Sequence, residues 1–134
     1  MTFDPIDPPE LGRPSGFSHG MLAPAGARML LVAGQIAAGP GGEVGADDFV
    51  EQFGIALDRV IAVVRAAGGD PRSIGRLTIY VTDLATYRAR RQELAPIYRQ
   101  RMGRHFPAMA LVEVVGLVDP RALVEIEATA AITA

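Results

Sequence analysis

The sequence lacks several residue types, and each absence excludes a class of site. Its 134 residues include no cysteine, which excludes disulfides, thiolate metal ligands and a cysteine nucleophile. Lysine is also absent, so all 13 basic residues are arginine, and both Schiff-base catalysis and a P-loop are excluded. Only His19 and His105 could supply imidazole, and two histidines without cysteine predict that the chain builds no metal site.

Charge and apolar patterning narrow the possible partners. The 15 acidic residues outnumber the 13 arginines, and a net charge of -2 does not indicate a nucleic-acid-binding surface. No apolar run reaches the roughly 20 residues that span a bilayer, so we expect no membrane partner. The acidic, proline-rich start is typical of neither a signal nor a transit peptide. We therefore predict an extended N-terminal arm over residues 1–14, a single domain over residues 15–134 and a cytoplasmic location.

Two stretches have helical periodicity. Apolar residues recur every three or four positions from Asp47 to Ala67, and glycines follow directly. The second stretch, from Thr86 to Met102, contains Pro96, which predicts a kink or a break at that point because proline lacks a backbone N–H.

Four stretches read as strands, and a fifth is shorter. The four main strands are Arg28–Ala37, Arg76–Thr82, Met109–Val115 and Leu123–Ala131. The short strand, around Phe17 to Met21, is expected to pair with the first of them. This order predicts an α+β sandwich with one mixed sheet and both helices on one face. Two of the strands are apolar on both sides, so the uncovered face predicts a homo-oligomer.

The residues alone leave the chemistry open. Glu125 and Glu127 share one strand face, where they form either a paired-carboxylate site or an ordinary charged surface. Gly34 interrupts an apolar strand, which indicates a bulge, a close ligand approach or packing beneath a helix. A Ser18–His19 dyad is disfavoured, because adjacent strand residues point to opposite faces. His105 is expected in a solvated loop.

Six strings, taken together, resemble the RidA (YjgF-like) reactive intermediate deaminase family. They are GFSHG, LLVAGQI, AAGGDP, LTIYVTDL, FPAMALVEV and VEIEATA, and they occur in that order from about Pro14 to Ile132. The resemblance implies a chorismate-mutase-like fold, a homotrimer with ligand clefts between subunits, and hydrolysis of reactive enamines or imines of small metabolites. It also implies that no metal or organic cofactor takes part.

The resemblance assigns roles to individual positions. Glu125 corresponds to the glutamate that holds and activates the attacking water, and Gly34 to a backbone position beside the ligand. Phe17, Met109 and Leu111 are expected to shape the pocket.

Three positions depart from the family pattern. Phe17 stands where a tyrosine is usual, Ala95 where an asparagine is expected, and Met109 where an arginine grips the substrate carboxylate. A carboxylate that enters a cleft without a cationic partner is strongly penalised. The alternative to a deaminase is therefore a non-catalytic trimeric protein that binds a metabolite or regulates an enzyme. Arginines that could replace the missing cation are Arg76, Arg88, Arg91 and Arg121.

Overall fold

The computed structural model describes residues 2–134. Its strands, in chain order, are β1 (Asp4–Ile6), β2 (Gly20–Leu22), β3 (Arg28–Gln35), β4 (Ile74–Val81), β5 (Ala108–Glu113) and β6 (Val124–Ile132). Its α-helices are α1 (Phe49–Ala66), α2 (Leu84–Ala89) and α3 (Arg91–Met102).

The main sheet has four strands in the spatial order β3–β6–β4–β5. β6 is antiparallel to both of its neighbours, whereas β4 and β5 are parallel. Each of the four predicted main strands overlaps an observed one, and the predicted mixed α+β architecture with helices on one face is confirmed.

Helix α1 covers the centre of the sheet. Asp48 begins it by accepting a hydrogen bond from the backbone N–H of Glu51, which satisfies one of the free donors of the first turn. Leu57, Val60 and Val64 are fully buried on its inner face, as the periodicity predicted. Within residues 2–134 no helix has the length and apolar character that crossing a membrane requires.

The second predicted helix is divided, but not at the proline. The interruption lies at Arg90, whose side chain forms ion pairs with Glu93 and with Asp48 at the start of α1. Pro96 lies inside α3, and the residue whose carbonyl loses its partner, Gln92, is exposed to water. Of the predicted kink or break at Pro96, the break is wrong, because α3 continues through Pro96 to Met102.

The N-terminal segment forms a small sheet of its own. β1 pairs antiparallel with β2, so the prediction that the short strand pairs with β3 was wrong. The backbone N–H of His19 donates to the Asp7 carboxylate at 2.7 Å, which holds this segment against the start of β2. The ring of Phe3 lies against Gly75, where a Cβ would approach it to 2.3 Å. Met1 of the predicted arm lies outside the described residues.

The face of the main sheet opposite the helices, here called the open face, carries Met29, Leu31, Tyr80, Glu125 and Glu127. In a single chain Met29 is 75% exposed and Leu31 is 72% exposed. The neighbouring side chains on the other side of β3 point into the core, with Val32 only 4% exposed. The sequence expectation of a strand that is apolar on both faces is therefore confirmed for β3.

Candidate functional site

Two carboxylates project from β6 onto the open face, and their surroundings differ. Glu125 lies opposite Tyr80 of β4 in the strand register, and Glu127 lies opposite Thr78. The Tyr80 hydroxyl donates to Glu127 at 2.8 Å, and this hydrogen bond raises the pKa of Tyr80. Glu125 accepts no hydrogen bond from any side chain or backbone group of residues 2–134. Its carboxylate is therefore available to a water molecule or a ligand.

Gly34 lies in a bulge of β3 directly beside Glu125. The register between β3 and β6 shifts between Val32 and Gln35. A Cβ placed on Gly34 would lie 2.7 Å from Oε2 of Glu125. Of the alternatives that the sequence left open for Gly34, the structure shows a bulge. Gly34 lies beside the Glu125 carboxylate and not beneath a helix.

A groove of about 620 Å³ lies on the opposite side of the sheet, between β5, α3 and residues 15–17. Met109 and Leu111 line it because they pair in register with Leu77 and Ile79, whose side chains face the helices. Phe17 lines the entrance from the N-terminal side. The volume is within the range of small-molecule sites.

The structure gives the histidines and Ser18 structural contacts. Ser18 is buried and its hydroxyl donates to the carbonyl of Phe106 at 2.6 Å, so it is not available as a nucleophile. Nε2 of His19 lies 3.1 Å from the carbonyl of Gly12. Nε2 of His105 lies 2.6 Å from the carbonyl of Ile74, so His105 is a half-buried anchor and not the solvated loop residue that was expected.

The five predicted site residues form two groups that one chain does not bring together. Glu125 and Gly34 lie on the open face, whereas Phe17, Met109 and Leu111 line the groove on the helix side. A sheet separates the two groups, because successive side chains of a strand point to opposite faces.

One of the four arginines considered as a replacement cation lines the groove. This is Arg91, whose guanidinium carbon lies 5.9 Å from the ring centroid of Tyr87. Arg76 pairs in register with Thr129 on the open face, and Arg121 forms an ion pair with Asp47.

Sequence reasoning missed a second groove arginine, Arg99. The signal that could have found it is spacing, because Arg91, Ala95 and Arg99 are four residues apart and share one helix face. Over residues 2–134 no three histidine, aspartate or glutamate side chains come together as a possible metal site.

Comparison with known proteins identifies the family. A model of the family described as Endoribonuclease L-PSP, which is the YjgF/RidA group, matches residues 13–132. The chain belongs to the YjgF/RidA family.

Individual YjgF/RidA family members are similar over most of the chain. A RutC family protein of Pasteurella multocida is 38% identical over 104 residues, which cover 76% of this chain and 78% of that protein. The crystal structure of YyfB, a Rid family protein of unknown function from Yersinia pestis, aligns with a TM-score of 0.82 at 34% identity. That alignment covers 98% of this chain and 100% of YyfB. The structure of Escherichia coli TdcF with bound serine aligns with a TM-score of 0.67 at 29% identity, over 91% of this chain and 92% of TdcF.

Proposed function

We propose that this YjgF/RidA family member is a hydrolytic deaminase that acts on a reactive enamine or imine, or on a related small carbonyl metabolite. The observation that carries the proposal is that the Glu125 carboxylate accepts no hydrogen bond from residues 2–134. The carboxylate also packs against Gly34, which has no side chain. A carboxylate with free lone pairs is suited to hold a water molecule.

The reaction needs one group that moves protons. Glu125 accepts a proton from water as the water oxygen adds to the imine carbon, and it returns a proton to the nitrogen. The carbon–nitrogen bond then breaks, so that an imine and water become a carbonyl compound and ammonia. An enamine enters the same route after it takes a proton on carbon. No redox step occurs, and the balance requires no organic or metal cofactor.

The site we propose lies between subunits of a homotrimer. Glu125 and Gly34 of one chain face away from Phe17, Met109 and Leu111 of the same chain. Packing the open face of one subunit against the groove side of its neighbour would place the two groups together. The exposure of Met29 and Leu31 supports this arrangement, since burying them in a neighbour removes apolar surface from water.

A relative supports the choice of a small ligand. TdcF of Escherichia coli is a family member whose structure holds serine, which is a small amino acid. The groove volume of about 620 Å³ leaves room for a molecule of that size or larger.

The test replaces Glu125 while the sheet is kept intact. We expect Glu125→Gln to reduce ammonia release from enamines generated in situ by about 100-fold or more, because general acid–base catalysis is lost. Glu127→Gln is the matched control, since this residue lies on the same face of β6 and already bonds to Tyr80. Circular dichroism spectra check that both variants fold. Equal rates of ammonia release by wild type and Glu125→Gln would overturn the proposed hydrolase activity. So would the absence of ammonia release above background by the wild type.

A second candidate is a non-catalytic protein that binds the same class of metabolite. The apolar Met109 in the groove favours it, since the family's carboxylate-binding arginine is absent from β5. A ligand that binds the native state raises the melting temperature. A melting-temperature rise with a 2-oxo acid, together with no ammonia release from the corresponding imine, is the expected result for this candidate.

A further inference from the structure

The bulge in β3 determines which residue of that strand lies beside Glu125. In the regular part of the ladder with β6, Val32 pairs with Ala128. A regular antiparallel ladder continued from that pair would bring Gln35 directly opposite Glu125. The bulge adds one residue to β3, so that Gln35 pairs with Ile126 instead.

The same bulge places the side chain of Gln35 on the helix side of the sheet. Ile126, its partner across the ladder, is 0% exposed in the core, and paired residues share a face. A shift of one residue turns the side chains of a strand to the other face. Without the bulge, Gln35 would therefore lie on the open face next to Glu125, and Gly34 would face the helices.

Arg59 of α1 holds Gln35 on the helix side. Its Nε donates to Oε1 of Gln35 at 3.1 Å, and its Nη1 donates to the carbonyl of Ala38 at 3.0 Å. Nε2 of Gln35 in turn donates to the carbonyl of Ala33 at 3.1 Å. Ala33 is part of the bulge, which lies between the ladder pairs of Val32 and Gln35. These three hydrogen bonds, here called the Arg59 clamp, tie both sides of the bulge to α1.

The clamp accounts for the hydrogen bonds of the Arg59 side chain in the described part of the chain. No carboxylate of residues 2–134 forms an ion pair with Arg59. Its side chain is half-buried, so its position is restricted. Substitution of Arg59 leaves no acidic group without its partner, and the effects of a substitution therefore report on the clamp.

We propose that Arg59 is a positioning residue, which acts through Gln35 to maintain the β3 bulge and to leave the Glu125 carboxylate free for water. Without the clamp, Gln35 turns onto the open face, where its amide N–H groups donate to Glu125 and occupy the lone pairs that the water needs. The consequence for catalysis rests on the proposed function, whereas control of the β3 register by Arg59 does not.

The kinetic test removes the clamp and keeps the helix. Arg59→Met has a side chain of similar length and a similar helix propensity, but no donor. We expect it to lower kcat for ammonia release by about tenfold, because Glu125 loses its position and its free lone pairs. KM should stay within about twofold, since the groove lies on the other side of the sheet.

Two further variants separate the clamp from general effects of the substitution. Arg59→Lys retains donors that reach Gln35, so its kcat should stay within about threefold of wild type. Arg65→Met is the matched control, since Arg65 is an exposed arginine of the same helix. Circular dichroism spectra confirm that each variant folds.

The spectroscopic test follows Gln35 directly and requires no turnover. The chain has four glutamines and no asparagine, so a ¹⁵N NMR spectrum contains only four side-chain amide groups, and Gln35→Ala assigns one of them by its loss. In wild type the Gln35 amide is bonded to Ala33, so Glu125→Gln should barely shift its signal. In Arg59→Met the same Glu125→Gln change should shift that signal at least about threefold more, because the amide then contacts Glu125.

Three results would overturn the positioning role. They are a wild-type kcat in Arg59→Met, an equal loss of kcat in Arg65→Met, and an equal response of the Gln35 signal to Glu125→Gln with and without Arg59. The proposed function fails separately, through the ammonia-release assay with Glu125→Gln. If the wild type releases no ammonia, the spectra alone decide whether Arg59 sets the β3 register.

Discussion

At the scale of single residues, Gly34 and Glu125 form the most constrained pair in the candidate site. Any side chain at position 34 would have to displace the carboxylate, because a Cβ there lies 2.7 Å from Oε2 and 3.0 Å from Cγ of Glu125. The carboxylate is the flexible end of its side chain, so it can move without unfolding the strand.

We therefore expect Gly34→Ala to lower the rate of ammonia release by about 10- to 100-fold, since small displacements of a catalytic group are costly. Its free energy of unfolding should change by less than about 1 kcal/mol, because the collision involves one movable side chain. Gly41→Ala is the control, as a Cβ at Gly41 meets nothing within 4 Å. A Gly34→Ala variant with wild-type activity would show that the position of Glu125 does not matter.

The positions of the candidate site residues could be predicted from the sequence only in part. The two-residue alternation of β6 correctly placed Glu125 and Glu127 on one face and apolar residues on the other. The sequence did not show that the sheet separates Glu125 from Met109, because this separation depends on the order of β5, β4 and β6 in the sheet. Arg99 was missed because charged helix residues usually face solvent, and only the groove distinguishes this one.

At the scale of secondary-structure elements, one buried side chain joins three parts of the chain. Gln52 of α1 is 0% exposed and donates to the carbonyls of Ala46 and Arg121 at 2.8 and 3.1 Å. Its carbonyl oxygen accepts from the backbone N–H of Leu123 at 2.8 Å. These bonds hold the segment before β6, and so the position at which Glu125 enters the sheet.

Replacing Gln52 by alanine should lower the free energy of unfolding by about 2–4 kcal/mol, because buried backbone groups lose their partners. Urea denaturation at a fixed protein concentration measures this change. Gln100→Ala is the control, since Gln100 is exposed on α3. Equal stabilities of the two variants would contradict the role assigned to Gln52.

The elements themselves were mostly predictable, and the exception is instructive. α1 follows a regular apolar period and has an aspartate at its start, so local signals define it. The interruption between α2 and α3 lies at Arg90, whose side chain pairs with Asp48 from a distant part of the sequence. Such a long-range contact leaves no local signal, whereas Pro96, which does leave one, does not end the helix.

At the scale of the whole molecule, the proposed site depends on assembly through the open face. Met29 and Leu31 are largely exposed in one chain, and the trimer proposed here would cover them. A charge at either position would have to be buried without a partner, which strongly disfavours assembly.

We expect Leu31→Asp to sediment as a monomer or a mixture of smaller species, and wild type to sediment as a trimer, in analytical ultracentrifugation. Ammonia release should fall together with the trimer. Val63→Asp is the matched control, because Val63 is a partly exposed apolar residue on α1, away from the open face. A Leu31→Asp protein that stays trimeric would show that assembly uses another surface.

The opposite placement of acid and groove has a consequence for how such a protein can diversify. Groove residues such as Met109 lie on the opposite side of the sheet from Glu125 within one chain, so mutations in the groove would alter which molecule the proposed site admits without changing the residues around Glu125 in that chain. In the proposed site, ligand preference and chemical reactivity would thereby be encoded in separate parts of one gene product, and each could drift while the other is preserved.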